Sequence, residues 1–468
     1  MEIKNLGLIK SVNIESKKIT VFTGENNTGK TYTSYILYGI FSFLKNIDFV
    51  FIQESEIENS LKSSIESGSN STTFKLEKEN IKTNLLKTVN KGLRKGLKGI
   101  ALDTFKIKES EFKELDISLS EREILTFYNF DPSSPMLTKK ISFGENTNIE
   151  IKDDGNSVSI QINFSVSEDS DLEQIIKFSG FIINKEILHA PNEIFYIPAE
   201  RTGINVFKNE LNESRLKTYD TMMNTIQYAS LKNKKGKNNL EQKLFRENLD
   251  LFLGVAKSSY PKPISDYINF LNNMSSVSES QNKDDKITPG EYIRSEILNG
   301  KYEINDDDNS VFFRHKYGTK MYRTKTTPFH VASSSIKSLF GLDYFLDNVG
   351  EKGDYLIIDE PELSLHYRNQ QKLASFFYEL IKYGYKIILS THSDILIREL
   401  TNLVLESKLN NEVDFEKDIK IYNFKNGSAT DLGNISEINN YENFDTISFD
   451  IDDRYSELIY YLRKKNEE

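Results

Sequence analysis

Val21-Phe22-Thr23-Gly24-Glu25-Asn26-Asn27-Thr28-Gly29-Lys30-Thr31 is the stretch whose reading decides the fold. It matches G-x-x-x-x-G-K-[ST], and its flanks give the match mechanical meaning. A short β-rich stretch, Lys18 to Thr23, precedes it, and an apolar helical stretch, Tyr32 to Leu44, follows. Glycines 24 and 29 allow a tight turn that aims several backbone N–H groups at phosphate oxygens, and the next helix adds its partially positive N-terminus. Lys30 then neutralises β/γ-phosphate charge, and the Thr31 hydroxyl holds Mg²⁺.

Far downstream, Tyr355-Leu356-Ile357-Ile358-Asp359-Glu360-Pro361 is an apolar, β-prone run ending in two carboxylates. A buried parallel strand that delivers acids to the edge of a sheet has this form. Asp359 is expected to position Mg²⁺, directly or through water, and Glu360 to orient and deprotonate the attacking water, because phosphoryl transfer needs placement and charge stabilisation more than covalent help. A third run, Lys386 to Asp394, repeats the design, with His392 at its tip to sense or stabilise the γ-phosphate. Alone, either downstream run reads as a strand followed by a polar loop. All three in this order set that reading aside.

Glu25-Asn26-Asn27 in the phosphate loop, Asp359-Glu360-Pro361-Glu362-Leu363-Ser364-Leu365-His366, and Ser390-Thr391-His392-Ser393 resemble the ATP-binding heads of ABC-type ATPases. The branch they resemble is the RecF/SMC/OLD-like one, found in repair and phage-defence proteins. The resemblance covers the first forty residues and roughly 330 to 400. It implies an α/β P-loop head, with a mixed sheet, flanking helices and an antiparallel β layer. It also implies ATP contacts along Gly24, Glu25, Asn26, Asn27, Thr28, Gly29, Lys30, Thr31 and Tyr32, with ATP sandwiched between two heads. The second head supplies a serine-glycine signature, and the matching place is Val331-Ala332-Ser333-Ser334-Ser335-Ile336-Lys337-Ser338-Leu339. Ser333, Ser334 and Ser335 at a helix start can donate hydrogen bonds to an anion. The glycines of a transporter-type signature are missing, which argues against a transporter subunit. An ordinary serine N-cap before a helix from Lys337 to Leu346 is the alternative, and the spacing to Asp359 favours function. His366 stands where many such heads carry an aspartate that crosses the dimer interface. In Phe195 to Gly203, Arg201 reaches phosphate, pairs with Glu200 or belongs to a structural loop, the last being the reading the pattern favours.

At 468 residues the chain is too long for a minimal head, so insertions are needed. Absence of cysteine excludes disulfides and cysteine–zinc sites and fits a cytoplasmic protein. Histidines 189, 315, 330, 366 and 392 show no zinc-type spacing. The amino terminus has no signal-peptide pattern, and the longest apolar stretch, Tyr35 to Ile52, is broken by Lys45 and Asp48, so no membrane span is expected. A net charge of −10 argues against a surface that is basic everywhere, as a nonspecific DNA coat requires. Lys87, Lys91, Arg94, Lys95 and Lys98 nevertheless recur at helical spacing opposite Leu86, Val89, Leu93, Leu97 and Ile100. A solvated helix face is favoured there over a nucleic-acid site, and glycines 92, 96 and 99 weaken the helix. Phe312 to Lys325 alternates basic and aromatic residues around a turn at Tyr317-Gly318 and reads as sheet leading into the serines.

The expected organisation is a first part of the head with a β-rich layer at 1–204, a helical insertion at 205–290, the second part of the head at 291–404 and a β/α extension at 405–468. Lys139 to Phe164 includes a hairpin with Asp154-Gly155 at its turn. Asn205 to Ser275 is helical, with polar linkers at Lys232 to Asn239, whose lysines read as a flexible loop, and Ser275 to Asp285. Strands are expected around Ile419 to Phe424 and a closing helix near Tyr455 to Lys465. No sustained heptad supports long coiled coils. The residues beyond Asp394 are too few for the Toprim nuclease of OLD proteins. Asp450-Ile451-Asp452-Asp453 reads as an acidic helix start rather than a metal site. Asn282 to Asp285 mimics a guanine-reading motif in a polar linker, and GTP specificity is discarded on that ground.

The expectation is an ATP-binding and hydrolysing head without its own nuclease, forming a homo-dimer or higher homo-oligomer through shared ATP. Its closest resemblance is to ATPase subunits of anti-phage systems such as PARIS or Septu, which implies a separate effector, a nuclease or toxin. The alternative is a RecF-like repair or recombination ATPase that binds DNA directly, and a transporter motor is a weaker third.

Overall fold

Ile19–Gly24, the strand that leads into the phosphate loop, is buried at every residue. In a computed structural model it lies inside a mixed sheet flanked by helices. The structure describes residues 1–136, 138–143, 147–165, 169–207, 260–274, 289–305, 310–317, 320–411, 413, 415–438 and 453–458. The chain divides into two units. One comprises Met1–Ile3, Ile40–Ile100 and Leu115–Asn192; the other comprises Lys4–Gly39, Ala101–Glu114 and Glu193–Glu468.

Within the second unit the sheet runs, in spatial order, through Ile9–Asn13, Ser428–Asp431, Ile419–Lys425, Ile19–Gly24, Lys386–Ser390, Tyr355–Asp359 and Ile194–Ile197. Its central strands pair in parallel: Ile421 and Leu389 both face Val21, and Ile358 faces Leu389 and Ile197. Strands covered on both faces need unbroken apolar runs rather than alternation, which is how Leu356-Ile357-Ile358 and Ile387-Ile388-Leu389 read. Parallel direction brings their ends to one edge, where Asp359 faces Ser390 and Ser390 faces Phe22. That edge is where open α/β sheets bind ligands. The strand expected near Ile419 to Phe424 is present, and it is the direct neighbour of the phosphate-loop strand. Gly24 follows from that neighbour: a Cβ there would stand 2.3 Å from the Phe424 carbonyl oxygen, and its φ of 133° disfavours any L side chain.

Helices Tyr367–Tyr383 and Asp394–Leu409 follow the two acid- and histidine-tipped strands. Ser393 caps the second of them, accepting from the Leu396 N–H at 3.1 Å. A separate antiparallel sheet, Gly300–Ile304, Val311–Tyr317 and Lys320–Pro328, leads through Phe329–Val331 into the helix Ser334–Asn348. Tyr317 pairs with Lys320 across the expected turn, whose Gly318 lies outside the described residues.

The first unit holds an antiparallel sheet in the order Ser71–Glu77, Ser157–Asn163, Thr147–Asp153, Lys139–Phe143. Its Asp154-Gly155 hairpin forms as expected, with Asp153 opposite Val158 and Gly155 at φ 87°. The long helix Lys78–Phe105 buries Val89, Leu93 and Ile100 and exposes Lys87, Lys91, Arg94, Lys95 and Lys98. The glycines expected to weaken it do not break it. Gly92 lies against Phe43, where a Cβ would stand 3.2 Å from the ring, so close packing replaces lost propensity.

Of the helical stretch from Asn205 to Ser275, Lys262–Asn272 is a helix. The linkers 232–239 and 275–285, the guanine-motif mimic 282–285, and Asp450 with Asp452 lie outside the described residues. Residues 453–458 are helical, and the expected continuation to Lys465 lies outside as well. Among the described residues, no helix is long and apolar enough to cross a membrane.

Candidate nucleotide site

The phosphate loop closes on itself. The Thr28 hydroxyl donates to the Glu25 carbonyl at 2.8 Å, and Asn27 and Gly29 turn the chain with φ of 60° and 105°. A Cβ at Gly29 would approach Ile9 to 2.7 Å, so the loop must be bare there. Lys30 starts the next helix, and its ammonium folds back to donate to the carbonyls of Gly24 at 2.9 Å and Glu25 at 2.7 Å. Burial lowers the Lys30 pKa, while Glu360, Asp359 and Glu362 oppose that shift. A largely buried cation thus sits at the mouth of a loop whose Glu25, Asn26 and Asn27 are exposed. Thr31 and Tyr32 are exposed on the first helical turn, and the Tyr32 ring stacks on Phe105 at 5.2 Å.

Asp359 ends its strand almost fully buried, and its partners among the described residues are hydroxyls. Ser390 donates to Oδ1 at 2.6 Å, Ser34 donates to the same oxygen at 3.1 Å, and Tyr196 donates to Oδ2. Burial pushes its carboxyl up, and the three hydroxyls pull it back. The hydroxyl that reaches Asp359 from the phosphate-loop helix is therefore that of Ser34, one turn beyond the exposed Thr31. Thr31 and Asp359 offer only hard oxygen donors, and among the described residues no three His, Asp or Glu gather into a metal cage. This fits Mg²⁺, which binds through one or two protein oxygens and keeps substrate phosphates and water as its remaining ligands.

Glu360 adopts φ 46°, in the left-handed region, and its N–H donates to the Ser390 carbonyl at 2.8 Å. Its Oε1 stands 3.9 Å from Nε2 of His392, and both side chains are about one-third exposed. The His392 pKa is lowered first by burial and then by Lys30, with Glu360 opposing, so the imidazole is biased toward its neutral form. The His392 N–H donates to Oε1 of Glu362 at 2.7 Å, and burial pushes the Glu362 carboxyl up. Lys30 is thus within electrostatic reach of Asp359, Glu360, Glu362 and His392.

The serines stand apart from that group. Their helix begins at Ser334, three residues before the expected Lys337, and ends at Asn348. Ser333 occupies the N-cap position, yet its hydroxyl makes no capping bond and instead meets that of Ser335 at 3.0 Å. Ser333 and Ser334 are exposed. Among the described residues, no hydrogen bond joins Ser333, Ser334 or Ser335 to Lys30, Asp359, Glu360 or His392. His366 caps the helix Tyr367–Tyr383, with Nδ1 accepting from the Arg368 N–H at 3.2 Å.

Arg201 is 1% exposed, and every one of its donors is used. Nε donates to Ser338 O at 3.2 Å, Nη1 to Pro198 O at 3.2 Å and Asp359 O at 2.8 Å, and Nη2 to Glu360 O at 2.8 Å and Pro361 O at 3.3 Å. No donor remains for phosphate or Glu200, so Arg201 is structural as expected, but it stands at the start of the helical run 201–207 rather than in a loop. The sequence reading missed Ser34, Tyr196 and Ser390 around Asp359, and the bond from Ser393 to Gln370 at 2.7 Å. Ser390 alone carried a signal, as the polar end of an apolar strand beside another.

A family model described as an AAA ATPase domain matches residues 1–397. No curated protein matches the chain. Similar solved structures include the Smc head domain with an extended coiled coil bound to the C-terminal domain of ScpA from Pyrococcus furiosus, at 12% identity, covering 92% of this chain and 94% of that one with a TM-score of 0.30. The SMC head domain from Thermotoga maritima is 10% identical, with 92% and 96% covered and a TM-score of 0.30. The functional reading rests on the family match and on the geometry of the site.

Proposed function

This chain belongs to the AAA ATPase domain family, and on that premise we propose that it binds ATP at the Lys30 loop, hydrolyses it through Glu360, and uses the pairing of ATP-bound heads as an assembly switch. The observation that carries this reading is the convergence of Lys30, Glu360 and His392 at one sheet edge from three widely separated strand ends. The loop N–H groups and the helix N-terminus receive the phosphates. Lys30 exchanges the Gly24 and Glu25 carbonyls for β/γ-phosphate oxygens. Glu360 accepts the proton of the attacking water as its oxygen bonds the γ-phosphorus and the β–γ bridging oxygen leaves. Neutral His392 can donate a hydrogen bond to the γ-phosphate. Thr31 and Asp359 would hold Mg²⁺, which supplies charge neutralisation on the phosphates when bound.

The exposed hydroxyls of Ser333 and Ser334, free of any capping bond, support their use on the nucleotide of a second head. A shared ligand favours the pair only by its differential affinity for the paired state, so these serines decide the strength of the switch. The biological output we assign is control of a separate effector protein, a nuclease or toxin, in anti-phage defence. It is supported by the sequence resemblance alone. The test is ATP turnover and native mass with Mg²⁺. Glu360→Gln is expected to retain ATP and accumulate the paired form, and wild-type turnover by that variant would remove Glu360 as the base.

One observation favours a second reading, direct binding of duplex DNA. Lys87, Lys91, Arg94, Lys95 and Lys98 are exposed and make no ion pair among the described residues, whereas Lys62, Lys78, Lys82 and Lys139 of the same unit each pair with a carboxylate. Salt-sensitive duplex binding that vanishes on charge reversal at Lys87, Lys91 and Arg94 would establish it.

A further inference from the structure

Three consecutive carbonyls, those of Asp359, Glu360 and Pro361, converge on the Arg201 guanidinium. In an extended strand successive carbonyls point to opposite sides. Convergence of three on one group requires the chain to leave strand geometry, and Glu360 at φ 46° is where it leaves. A residue with a Cβ disfavours that conformation unless its surroundings over-determine it. The Glu360 N–H donates to the Ser390 carbonyl at 2.8 Å and its carbonyl accepts from the Leu363 N–H at 3.1 Å, and Arg201 adds the only side-chain bond to that peptide among the described residues, binding the carbonyls on either side of it as well.

The same guanidinium holds a second element. Its Nε bonds the Ser338 carbonyl in the helix that begins at Ser334, and beside it Asn205 donates to the Lys337 carbonyl at 2.7 Å while accepting from the Tyr267 hydroxyl at 2.8 Å. A planar, rigid fork with all donors engaged transmits displacement from one edge to the other, which a flexible ammonium cannot do. A buried cation satisfied only by main-chain carbonyls is an expensive way to fill a core, so packing alone does not explain its use.

We infer that Arg201 is a positioning residue for hydrolysis, holding Glu360 in its left-handed conformation and bracing it, together with Asn205, against the serine-led helix. This inference rests on the reading of Glu360 as the base. Arg201→Lys keeps the charge and loses the fork. It is expected to lower kcat about 30-fold, as displacement of a reacting group on the scale of an ångström does, with the ATP Kd within about threefold of wild type. Asn205→Ala, which leaves all Arg201 bonds in place, is expected to lower kcat about fivefold.

The decisive measurement is a double-mutant cycle with Glu360→Gln in the full-length protein. If Arg201 acts through Glu360, adding Arg201→Lys or Asn205→Ala to Glu360→Gln costs no further rate. Multiplicative losses, or unchanged kcat in folded single variants, would overturn the inference. If Arg201→Lys fails to fold, the Asn205→Ala cycle decides alone. Absence of ATP turnover by the wild-type protein would sink the underlying reading as well, whereas normal turnover with multiplicative losses sinks only this one.

Discussion

Charged groups of the first unit and those of the candidate site in the second are arranged on different principles. In the first unit they pair one with one or two, as in Lys78 with Asp153, Lys82 with Glu121, and Glu150 with Lys140 and Lys152. At the candidate site of the second unit they converge, with three hydroxyls on Asp359, five carbonyls on Arg201 and three carboxylates acting on Lys30, whereas away from the site Lys18 and Lys420 pair singly with Asp418 and Asp431. A pair on a surface can be lost with little consequence, because water replaces either partner. A convergent group specifies the position of everything it touches, because each bond limits the others. That is the arrangement a site needs when its chemistry depends on placement.

Substitutions can break or sharpen this contrast. The largest effect is expected from Lys30→Ala, which removes the cation at the loop mouth: ATP affinity by calorimetry should fall at least about 100-fold, two decades being 2.7 kcal/mol. Affinity within threefold of wild type would end the account of the second unit. Lys78→Met removes the most buried pair of the first unit, leaving Asp153 and the Ser134 carbonyl without their ammonium. It should destabilise the chain by about 2 kcal/mol in urea unfolding while leaving ATP affinity unchanged. A change in affinity would show that the first unit's pairs are not local.

A smaller effect is expected from pH. The folded pKa of His392 lies below its ordinary 6.5, so its stabilising contribution is complete above that value and is lost as pH falls from 6.5 through the folded pKa. His392→Gln should flatten the decline in Tm between pH 7 and about 5, and an unchanged slope would remove His392 as its source. The smallest effect belongs to Lys62→Ala, which breaks an exposed helical pair with Glu58 and should leave the unfolding midpoint within experimental error. A measurable loss there would weaken the contrast from its other side.

How much was legible differs between parts of the same site. Lys30, Asp359, Glu360 and His392 could be placed together at one sheet edge because each sits in or just after a contiguous pattern, an apolar strand with a polar tip, and a strand delivers its tip to that edge. Ser34 and Tyr196 were not legible as partners of Asp359, since one lies within an apolar helix and the other within an apolar strand. Arg201 was read correctly as structural, but its acceptors are main-chain carbonyls that carry no sequence signal. The serine-led helix was placed three residues late, because serine's preference for caps hid the fact that Ser334 and Ser335 are inside the first turn.

The amino-acid order by itself determined the turn through Gly24 and Gly29 ahead of Lys30, acid- and histidine-tipped strands, and the Asp154-Gly155 hairpin, because glycine positions and apolar periodicity act on neighbours along the chain. Tertiary structure alone decided that Ile419–Lys425 lies beside the phosphate-loop strand, that Asp359 is held by three hydroxyls, and that one arginine ties Glu360 to a distant helix. Those outcomes depend on which strands come into register and which polar groups must find partners once water is excluded. Neither is written in any local stretch of residues.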